Sequence, residues 1–218
     1  MCNIIVGGKE FPVLGAVFNW TQSGMEFKPG AGARRRESKI DLVVWHYTAG
    51  EGDVKQLYAV LRGRKLGVEF FIDRVGVIWQ FCDPIEVDTF DAGTANRRSV
   101  GVEMACYGYR PSAELVPVKG KDRRTYVDHV QSEEKRFAHF YPDQIAAAVS
   151  LAFALSDALS IPLKVPTDGV GDLYKSSLRS HERDEFSGHV GHYHVNSRKL
   201  DPGTSILNVL LHAFGKEV

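Results

Sequence analysis

Residues 188–203 read GHVGHYHVNSRKLDPG. We expect the chain to fold so that side chains from other segments join this stretch in a metal-binding site. The stretch holds His189, His192 and His194 close together, followed by a Lys-x-Asp-Pro-Gly segment that contains Lys199 and Asp201. Imidazole and carboxylate groups suit Zn²⁺ as ligands, and a nearby ammonium group can stabilise an oxyanion. The stretch therefore predicts one part of a metal site.

The bulk composition is that of an ordinary globular domain. The chain has 218 residues, of which 44% are hydrophobic and 25% are charged, and this length suits one well-buried α/β domain. Its 27 basic and 27 acidic residues give a formal net charge of zero, which argues against a surface made for nucleic acid. No apolar run approaches the ~18 residues of a membrane span. We expect no nucleic-acid partner, no membrane insertion and a monomer, and we interpret the run RRR at 34–36 as a solvated loop.

The cysteines and the N-terminus predict where the chain is made. Cys2, Cys82 and Cys106 lack metal-type spacing, so we interpret them as free thiols, the last two in the core. Free thiols fit a reducing compartment. The first residues, MCNIIVGGKEFPV, lack the basic and long apolar regions of a secretory signal. These features predict synthesis in the cytoplasm without a signal peptide.

Hydrophobic patterns predict alternating strands and helices in a single domain. The predicted strands are a hairpin within 3–18, the run DLVVWH at 41–46, two strands around Gly76 within 68–82, and SVGVEMAC at 99–106. The predicted helices are 53–61 with Asp53 as N-cap, 142–160 with Pro142 in the first turn, and 205–214. Residues 83–98 and 163–187 are predicted as loops, the latter with a short strand near 164–165. Residues 107–140 are predicted as a polar insertion that contains one irregular hairpin.

His46 is the best candidate for a first metal ligand. It ends a buried strand, where ligand sites of α/β sheets are found, although a structural histidine is the alternative. Asp201 is the carboxylate candidate. On an extended chain the histidines at 192 and 194 point to opposite faces, so only one of them should face the metal. The second ligand stays open among His192, His194, His189 and His181.

Two further side chains suit catalysis beside a metal. Glu103 is the one acid inside an apolar strand, and it is either a water-facing glutamate or a desolvated carboxylate that orients or deprotonates water. Lys199 lies two residues before Asp201, so the two side chains share one side if the segment is extended. The alternative for Lys199 is a solvated surface lysine.

Three blocks resemble the zinc-dependent N-acetylmuramoyl-L-alanine amidases, which include bacteriophage lysozyme-type amidases, muropeptide-recycling amidases and peptidoglycan recognition proteins. The blocks are VVWHYTAG at 43–50, SVGVEM at 99–104 and GHYHVNSRKLDPG at 191–203, and FFIDRVGVIWQ at 70–80 is also similar. The resemblance covers residues from about 40 to 212. It implies an α/β fold with a central mixed sheet flanked by helices and with zinc in a surface groove.

The resemblance implies a role for each matched residue. The implied zinc ligands are His46, His192 and Asp201. The implied catalytic residues are Glu103, which activates or orients water, and Lys199, which stabilises the tetrahedral intermediate. The expected substrate contacts are Tyr47, Asp91 and His194.

The chain departs from the family pattern at two places that line the cleft in relatives. A histidine or tyrosine often precedes the FFIDR-type strand, where this chain has Val68 and Glu69. A His-Ala-Gly often occurs in the next loop, where this chain has Asp91-Ala92-Gly93. We expect substrate contacts to differ at both places.

The resemblance also divides the chain and implies its function. We predict a hairpin and lead-in over 1–38 that packs on an amidase domain of 39–218, with an insertion at about 107–140. The implied reaction is zinc-dependent hydrolysis of the amide between N-acetylmuramic acid and L-alanine in peptidoglycan or muropeptides. The alternatives are a non-catalytic peptidoglycan or muropeptide binder and a zinc amidase that acts on another peptide amide. An endolysin, a recycling enzyme and an exported effector all fit the sequence, and the resemblance implies that a protein made in the cytoplasm acts on the cell wall after release or export.

Overall fold

The computed structural model describes residues 2–30, 32–109, 116–118 and 121–215. The strands are β1 Cys2–Val6, β2 Lys9–Val13, β3 Val17–Phe18, β4 Ala33–Arg35, β5 Leu42–Tyr47, β6 Phe70–Ile72, β7 Ile78–Gln80, β8 Val87–Thr89, β9 Ser99–Met104, β10 Val116–Val118, β11 Lys121–Arg123, β12 Thr125–Val130, β13 Glu133–Ala138 and β14 Gly188–Gly191. The helices are α1 Trp20–Ser23, α2 Val54–Gly63, α3 Pro142–Leu159, α4 Ser180–Glu185, α5 His192–Val195 and α6 Ser205–Phe214, with a 3₁₀ helix at Gly93–Arg98.

A six-stranded mixed sheet forms the centre of the molecule, in the order β14-β5-β9-β6-β7-β3. The strands β14, β5, β9 and β6 run parallel, whereas β7 is antiparallel to β6 and β3 pairs in parallel with β7. The two apolar runs of the sequence form β5 and β9 in the middle of the parallel part, where both faces of a strand are covered. The predicted α/β fold with a central mixed sheet is confirmed.

The two faces of the sheet bury different side chains, because successive side chains of a strand point to opposite faces. On β9, Val102 and Met104 join the larger core cluster, to which helices α3 and α6 also contribute. Glu103 points to the other face and pairs in register with Phe71 of β6. Phe71 belongs to the second core cluster, which contains the buried side chains of helix α2. Glu103 therefore lies on the face of the sheet that α2 partly covers.

Helices α2 and α3 begin at the N-cap and proline signals from which the sequence predicted them. The side chain of Asp53 accepts a hydrogen bond from the backbone N–H of Gln56 at 2.9 Å, so it caps α2 as predicted. Pro142 is the first residue of α3, where its missing N–H carries no penalty. Cys82 and Cys106 are buried thiols that form no disulfide, as predicted, and Cys2 is exposed. None of the helices in the described residues is both long and apolar enough to cross a membrane.

The hairpin of β12 and β13 forms hydrogen bonds with α5 and with the segment that follows it. The hydroxyl of Tyr126 accepts the backbone N–H groups of Thr204 and Ser205, each at 3.1 Å. Asp128 accepts a hydrogen bond from the Thr204 hydroxyl at 2.7 Å, and the Gln131 amide donates to the Tyr193 carbonyl at 2.9 Å. The hairpin thereby satisfies backbone donors at the start of α6, which an N-cap side chain satisfies in most helices.

Several local expectations were wrong. The predicted loop at 83–98 contains β8, which pairs antiparallel with β4, and the 3₁₀ helix. Residues 164–165 are not a strand, whereas α4 lies within the predicted loop at 163–187. The histidines at 192 and 194 lie in the short helix α5 rather than on an extended chain. The run at 34–36 is not simply solvated, because Arg34 pairs with Asp88 at 2.6 Å and Arg36 is buried.

Candidate metal centre

The carboxyl ends of three parallel strands bring the predicted site together. His46 of β5 and Glu103 of β9 are register partners on neighbouring strands. Strand β14 ends at Gly191, which is paired with Trp45, so His192 follows it at the level of His46. Ligand sites of open α/β sheets occur at this edge. The sheet register therefore places two histidines and a glutamate at one point on its edge.

His46, His192 and Asp201 are positioned to bind a metal. One potential ligand atom from each of them lies within 4.8 Å of the others. Asp201 Oδ2 is 2.9 Å from His46 Nδ1 and 2.9 Å from His192 Nδ1. The two imidazole rings meet edge to face with their centroids 4.6 Å apart. Two imidazole nitrogens and one carboxylate oxygen thus converge, which is a donor set that suits Zn²⁺.

The two carboxylates beside His46 dominate its electrostatics. Burial lowers the pKa of His46, but hydrogen bonds to Asp201 and Asp91 outweigh burial and raise it to about 10. Burial raises the pKa of Asp201, yet hydrogen bonds to the two histidines bring it well below its usual range. Burial and the nearby charge of His46 lower the pKa of His192. Because a histidine binds a metal through a deprotonated nitrogen, metal binding at this site would release a proton from His46.

Glu103 lies beside the cluster as a desolvated carboxyl group. Burial raises its pKa to about 7, and the positive charge of His46 opposes that rise. Its Oε2 atom is buried and has no hydrogen-bond partner among the described residues. A carboxyl group with a pKa near neutrality and a free oxygen is suited to proton transfer. The alternative of a fully water-facing edge glutamate is excluded, because β9 is an inner strand of the sheet.

An open groove passes over these residues. It is lined by His46, Glu103, His192, Lys199 and Asp201 together with Tyr47, Thr48, Ala49, Leu61, Arg64, Leu66, Gly67, Phe90 and Asp91. The Lys199 side chain is exposed at the groove, and the peptide bond between Asp201 and Pro202 is cis. The groove therefore offers a ligand cluster, a carboxyl group and a cation to one bound molecule.

The structure places Tyr47 and Asp91 at the groove in different ways. Tyr47 is partly buried and packs its ring over Gly108, where a Cβ atom would overlap the ring. Asp91 is partly buried, its side chain is largely covered, and its Oδ2 lies 3.0 Å from His46 Nε2. Asp91 thus faces the candidate ligand His46, whereas Tyr47 presents part of its surface to the groove.

The expected substrate contact of His194 does not agree with its position. His194 is fully buried, its Nδ1 accepts the Gly191 N–H at 2.9 Å, and its Nε2 lies 2.6 Å from the Tyr174 carbonyl oxygen. Burial lowers its pKa to about 4, so the ring is neutral. The helical turn at α5 directs this side chain into the protein, where it joins two backbone segments.

The other alternative ligands also lie apart from the cluster. His189 is buried in the main core, where the Trp45 indole N–H donates to its Nδ1 at 3.2 Å and Ser156 Oγ lies 2.9 Å from its Nε2. Burial lowers its pKa to about 3. His181 is exposed on α4. Of the four histidines considered from the sequence, His192 is the one in the three-residue cluster.

Val68 and Glu69, the first place where the chain departs from the family pattern, are not among the residues that line the groove. Both are fully buried. Glu69 is paired with Arg36 at 3.1 Å and accepts the backbone N–H of Gly101 at 2.7 Å. Burial raises the pKa of Glu69 to about 7, and the charge of Asp91 adds to the rise. Glu69 therefore forms a buried ion pair with Arg36, and a difference in substrate contacts at this place stays a prediction.

Comparison with protein families decides the class of the chain. The family described as N-acetylmuramoyl-L-alanine amidase matches residues 36–204. The chain belongs to the N-acetylmuramoyl-L-alanine amidase family. Comparison with functionally curated proteins gives no match. The match spans β5, β9 and β14 and therefore includes all three candidate metal ligands of this amidase-family protein.

Solved structures share the fold of this amidase-family chain at low sequence identity. E. coli AmiD, solved with the substrate anhydro-N-acetylmuramic acid-L-Ala-D-gamma-Glu-L-Lys, is 23% identical with a TM-score of 0.50, covering 78% of this chain and 56% of AmiD. Human PGRP-IBETAC, solved with glycosamyl muramyl pentapeptide, is 13% identical with a TM-score of 0.51, covering 89% and 94%. Drosophila PGRP-SD is 14% identical with a TM-score of 0.50, covering 87% and 89%. The chain thus spans little more than half of the AmiD chain.

Sequence reasoning missed two features of this amidase-family site. The contact between Asp91 and His46 was not foreseen, although the replacement of His by Asp in the family pattern marked the position. The groove also includes Arg64 and Leu66, which follow α2 and carry no motif. Amphipathic spacing predicts that a helix packs on the sheet, but it does not predict which residues after its end reach the site.

Proposed function

We propose that this protein is a zinc-dependent N-acetylmuramoyl-L-alanine amidase, which hydrolyses the amide between N-acetylmuramic acid and L-alanine in peptidoglycan or muropeptides. The observation that carries the proposal is the cluster of His46, His192 and Asp201 beside Glu103 in an open groove. Membership of the amidase family supports the reaction class. The zinc dependence and the choice of amide are the parts of the proposal that need experiments.

The donor set and its surroundings fit Zn²⁺. His46, His192 and Asp201 would supply three ligands, and catalytic zinc sites combine three protein ligands with one open position. The groove gives that open position access to solvent and substrate. When bound, Zn²⁺ would polarise the substrate carbonyl and lower the pKa of water.

Glu103 is the residue that we assign to proton transfer. Glu103 is partly buried, its carboxyl group has a pKa of about 7, and its Oε2 atom has no hydrogen-bond partner among the described residues, so near neutral pH it can take up and return a proton. It would accept a proton from the attacking water and pass it to the nitrogen of the leaving L-alanine. General acid–base catalysis of this kind contributes roughly 10²–10⁴-fold to a rate.

Lys199 is the residue that we assign to the developing oxyanion. It lines the same groove as Glu103 but is exposed, and an ammonium group in that position adds positive charge near the reacting carbonyl. A single donor to an oxyanion is worth roughly 3–4 kcal/mol. We therefore expect the contribution of Lys199 to appear in the chemical step rather than in metal binding.

The proposed reaction consumes one water and breaks one C–N bond. The oxygen of water adds to the lactyl carbonyl carbon, the bond to the nitrogen of L-alanine breaks, and that nitrogen receives the proton carried by Glu103. The products are a lactyl carboxylate on the sugar and a stem peptide with a free amino terminus. The substrate bound to AmiD contains this linkage, which supports the choice of amide.

A non-catalytic muropeptide binder is the second candidate, because PGRP-IBETAC shares the fold and was solved with a muramyl peptide. A binder needs the groove but has no use for a complete ligand set. The carboxylate of Asp201 completes a three-ligand set beside Glu103. This observation favours catalysis over binding alone.

The test is an assay of the full chain, loaded with zinc, on a muramyl tripeptide that has the amide intact. We expect the free amino group of L-alanine to appear, and we expect a chelator to stop its release and added zinc to restore it. Glu103→Gln and Lys199→Ala should each slow the release while zinc stays bound. Binding of the muramyl peptide without hydrolysis would establish the binder instead.

Three substrates assayed side by side would define the amide that is cleaved. Intact sacculi, soluble muramyl peptides and peptides without a sugar differ in polymer context and in the lactyl group. Cleavage of the first two with no cleavage of the third supports a muramoyl amidase. Equal cleavage of the sugar-free peptides would refute the assignment and identify a broader zinc amidase.

A further inference from the structure

The two ring nitrogens of His46 face two different carboxylates. Nδ1 lies 2.9 Å from Asp201 Oδ2, on the side of the three-residue cluster, whereas Nε2 lies 3.0 Å from Asp91 Oδ2. An imidazole that binds a metal through one nitrogen carries its proton on the other. A carboxylate that accepts this second N–H orients the ring and raises its basicity as a ligand.

The backbone around Asp91 is fixed by a neighbouring side chain. The Oδ1 atom of Asn96 accepts the backbone N–H of Asp91 at 3.2 Å and that of Ala92 at 2.6 Å. Asn96 lies in the 3₁₀ helix at Gly93–Arg98 that leads into β9. The Asp91 side chain is 6% exposed and thus offers little surface to a bound substrate. These contacts hold the carboxylate at hydrogen-bond distance from Nε2 of His46.

Gly101 of β9 leaves the space that Asp91 occupies. A Cβ atom at position 101 would overlap Asp91 Oδ2 and would lie 2.7 Å from Asp91 Cγ. The backbone N–H of Gly101 donates to Glu69 rather than to Asp91. The strand therefore presents a gap, on the face that carries Glu103, into which the Asp91 carboxylate fits.

We propose that Asp91 is a positioning residue that accepts the Nε2–H of His46 and thereby holds Nδ1 toward the metal. The inference rests on the proposed function, because it takes His46 as a zinc ligand. It replaces the substrate contact that the sequence suggested for Asp91. The loss of such a partner weakens metal binding by roughly 10–100-fold.

The test compares the zinc affinity of the full chain with that of Asp91→Asn and Asp91→Ala, by competition with a chelator of known affinity. Asparagine keeps an uncharged acceptor of the same shape, and alanine removes the acceptor. We therefore expect affinity to fall in the order wild type, Asn, Ala, with a loss of roughly 10–100-fold for Ala. A role in folding alone would not produce this graded order in variants that stay folded by circular dichroism.

A second readout follows the His46 ring itself by ¹⁵N NMR of the metal-free and zinc-loaded chain. We expect an Nε2–H signal that is protected from solvent exchange in the wild type and that Asp91→Ala removes. Asp88→Asn is the matched control, because Asp88 is also buried but pairs with Arg34. It should change neither zinc affinity nor the His46 signal.

The outcomes separate this inference from the proposed function. If the wild type binds zinc and both Asp91 variants bind it equally well with an unchanged His46 signal, the positioning role is refuted while the zinc site stands. A higher KM in these variants with unchanged zinc affinity would instead establish a substrate contact. If the wild type binds no zinc, both the proposed function and this inference fail.

Gly101→Ala, which keeps Asp91 but crowds it, should weaken zinc binding if the inference is correct.

Discussion

Replacing Glu103 by glutamine is expected to slow the reaction and, at the same time, to change stability in a pH-dependent way. The substitution preserves the shape of the side chain and removes a charge that is buried beside the candidate metal centre. Under the proposed mechanism, the loss of the proton acceptor should lower kcat/KM by roughly 10²–10⁴-fold. In the metal-free protein the same substitution removes the cost of ionising a desolvated carboxyl group.

The magnitude of the stability effect follows from the pKa of Glu103. Burial raises this pKa from 4.5 to about 7, and each pKa unit corresponds to about 1.4 kcal/mol. Because the folded state holds the proton more tightly, ionisation destabilises the wild type: the cost is absent below the unfolded pKa and complete above the folded one. It therefore grows by about 2 to 3 kcal/mol between about pH 5 and pH 8. The unpartnered amide of glutamine costs about 1–3 kcal/mol at every pH.

The assay is urea unfolding of the wild type and Glu103→Gln, with a chelator present, at about pH 5 and about pH 8. We expect the variant to gain about 2 to 3 kcal/mol relative to the wild type between these two conditions, whatever its offset at either one. Glu86→Gln, at an exposed glutamate, is the control and should show no such change. An equal pH dependence in Glu103→Gln and the wild type would refute the assignment of Glu103 as a desolvated acid.

Three further predictions concern the rest of the site. Lys199→Ala should lower kcat/KM by roughly 10²–10³-fold with zinc affinity unchanged, whereas Arg198→Ala, at the exposed neighbour, should keep full activity; equal losses in both would contradict the assigned role. Zinc at about 100 times its Kd should raise the free energy of unfolding by about 2.7 kcal/mol. Urea unfolding should show that His192→Ala abolishes this gain and that the exposed His181→Ala retains it. His194→Ala should lower the free energy of unfolding by about 1–3 kcal/mol, because the buried N–H of Gly191 loses its acceptor; an increase in KM at unchanged stability would restore the substrate contact first expected.

The strands that form the site could be predicted because their signals are local. The run at 41–46 and the run at 99–106 are short and apolar, as is typical of strands covered on both faces, and they carry His46 and Glu103 at definite positions. The alternation of side chains then places Glu103 opposite Val102 and Met104, as the structure has it. The roles of these residues in catalysis stay predictions.

The remaining features depend on contacts between distant segments, which local patterns do not encode. Strand β8 exists because it pairs with β4, more than fifty residues earlier in the chain. Glu69 is buried because Arg36 reaches it from the lead-in. Asp91 meets His46 only because Gly101 provides the space beneath it. In each case the structure depends on a partner that is distant in the sequence.

The hydrogen bonds of the β12–β13 hairpin limit which segments can be exchanged between family members. Tyr126 and Asp128 bind Thr204, three residues after Asp201, and Tyr126 also binds Ser205, so the hairpin and the closing block of the site form one unit. Grafting either part alone into another amidase scaffold would leave the backbone donors of Thr204 and Ser205 without their acceptor. Recombination between family members should therefore succeed when its junctions keep residues 125–138 and 192–205 from the same parent.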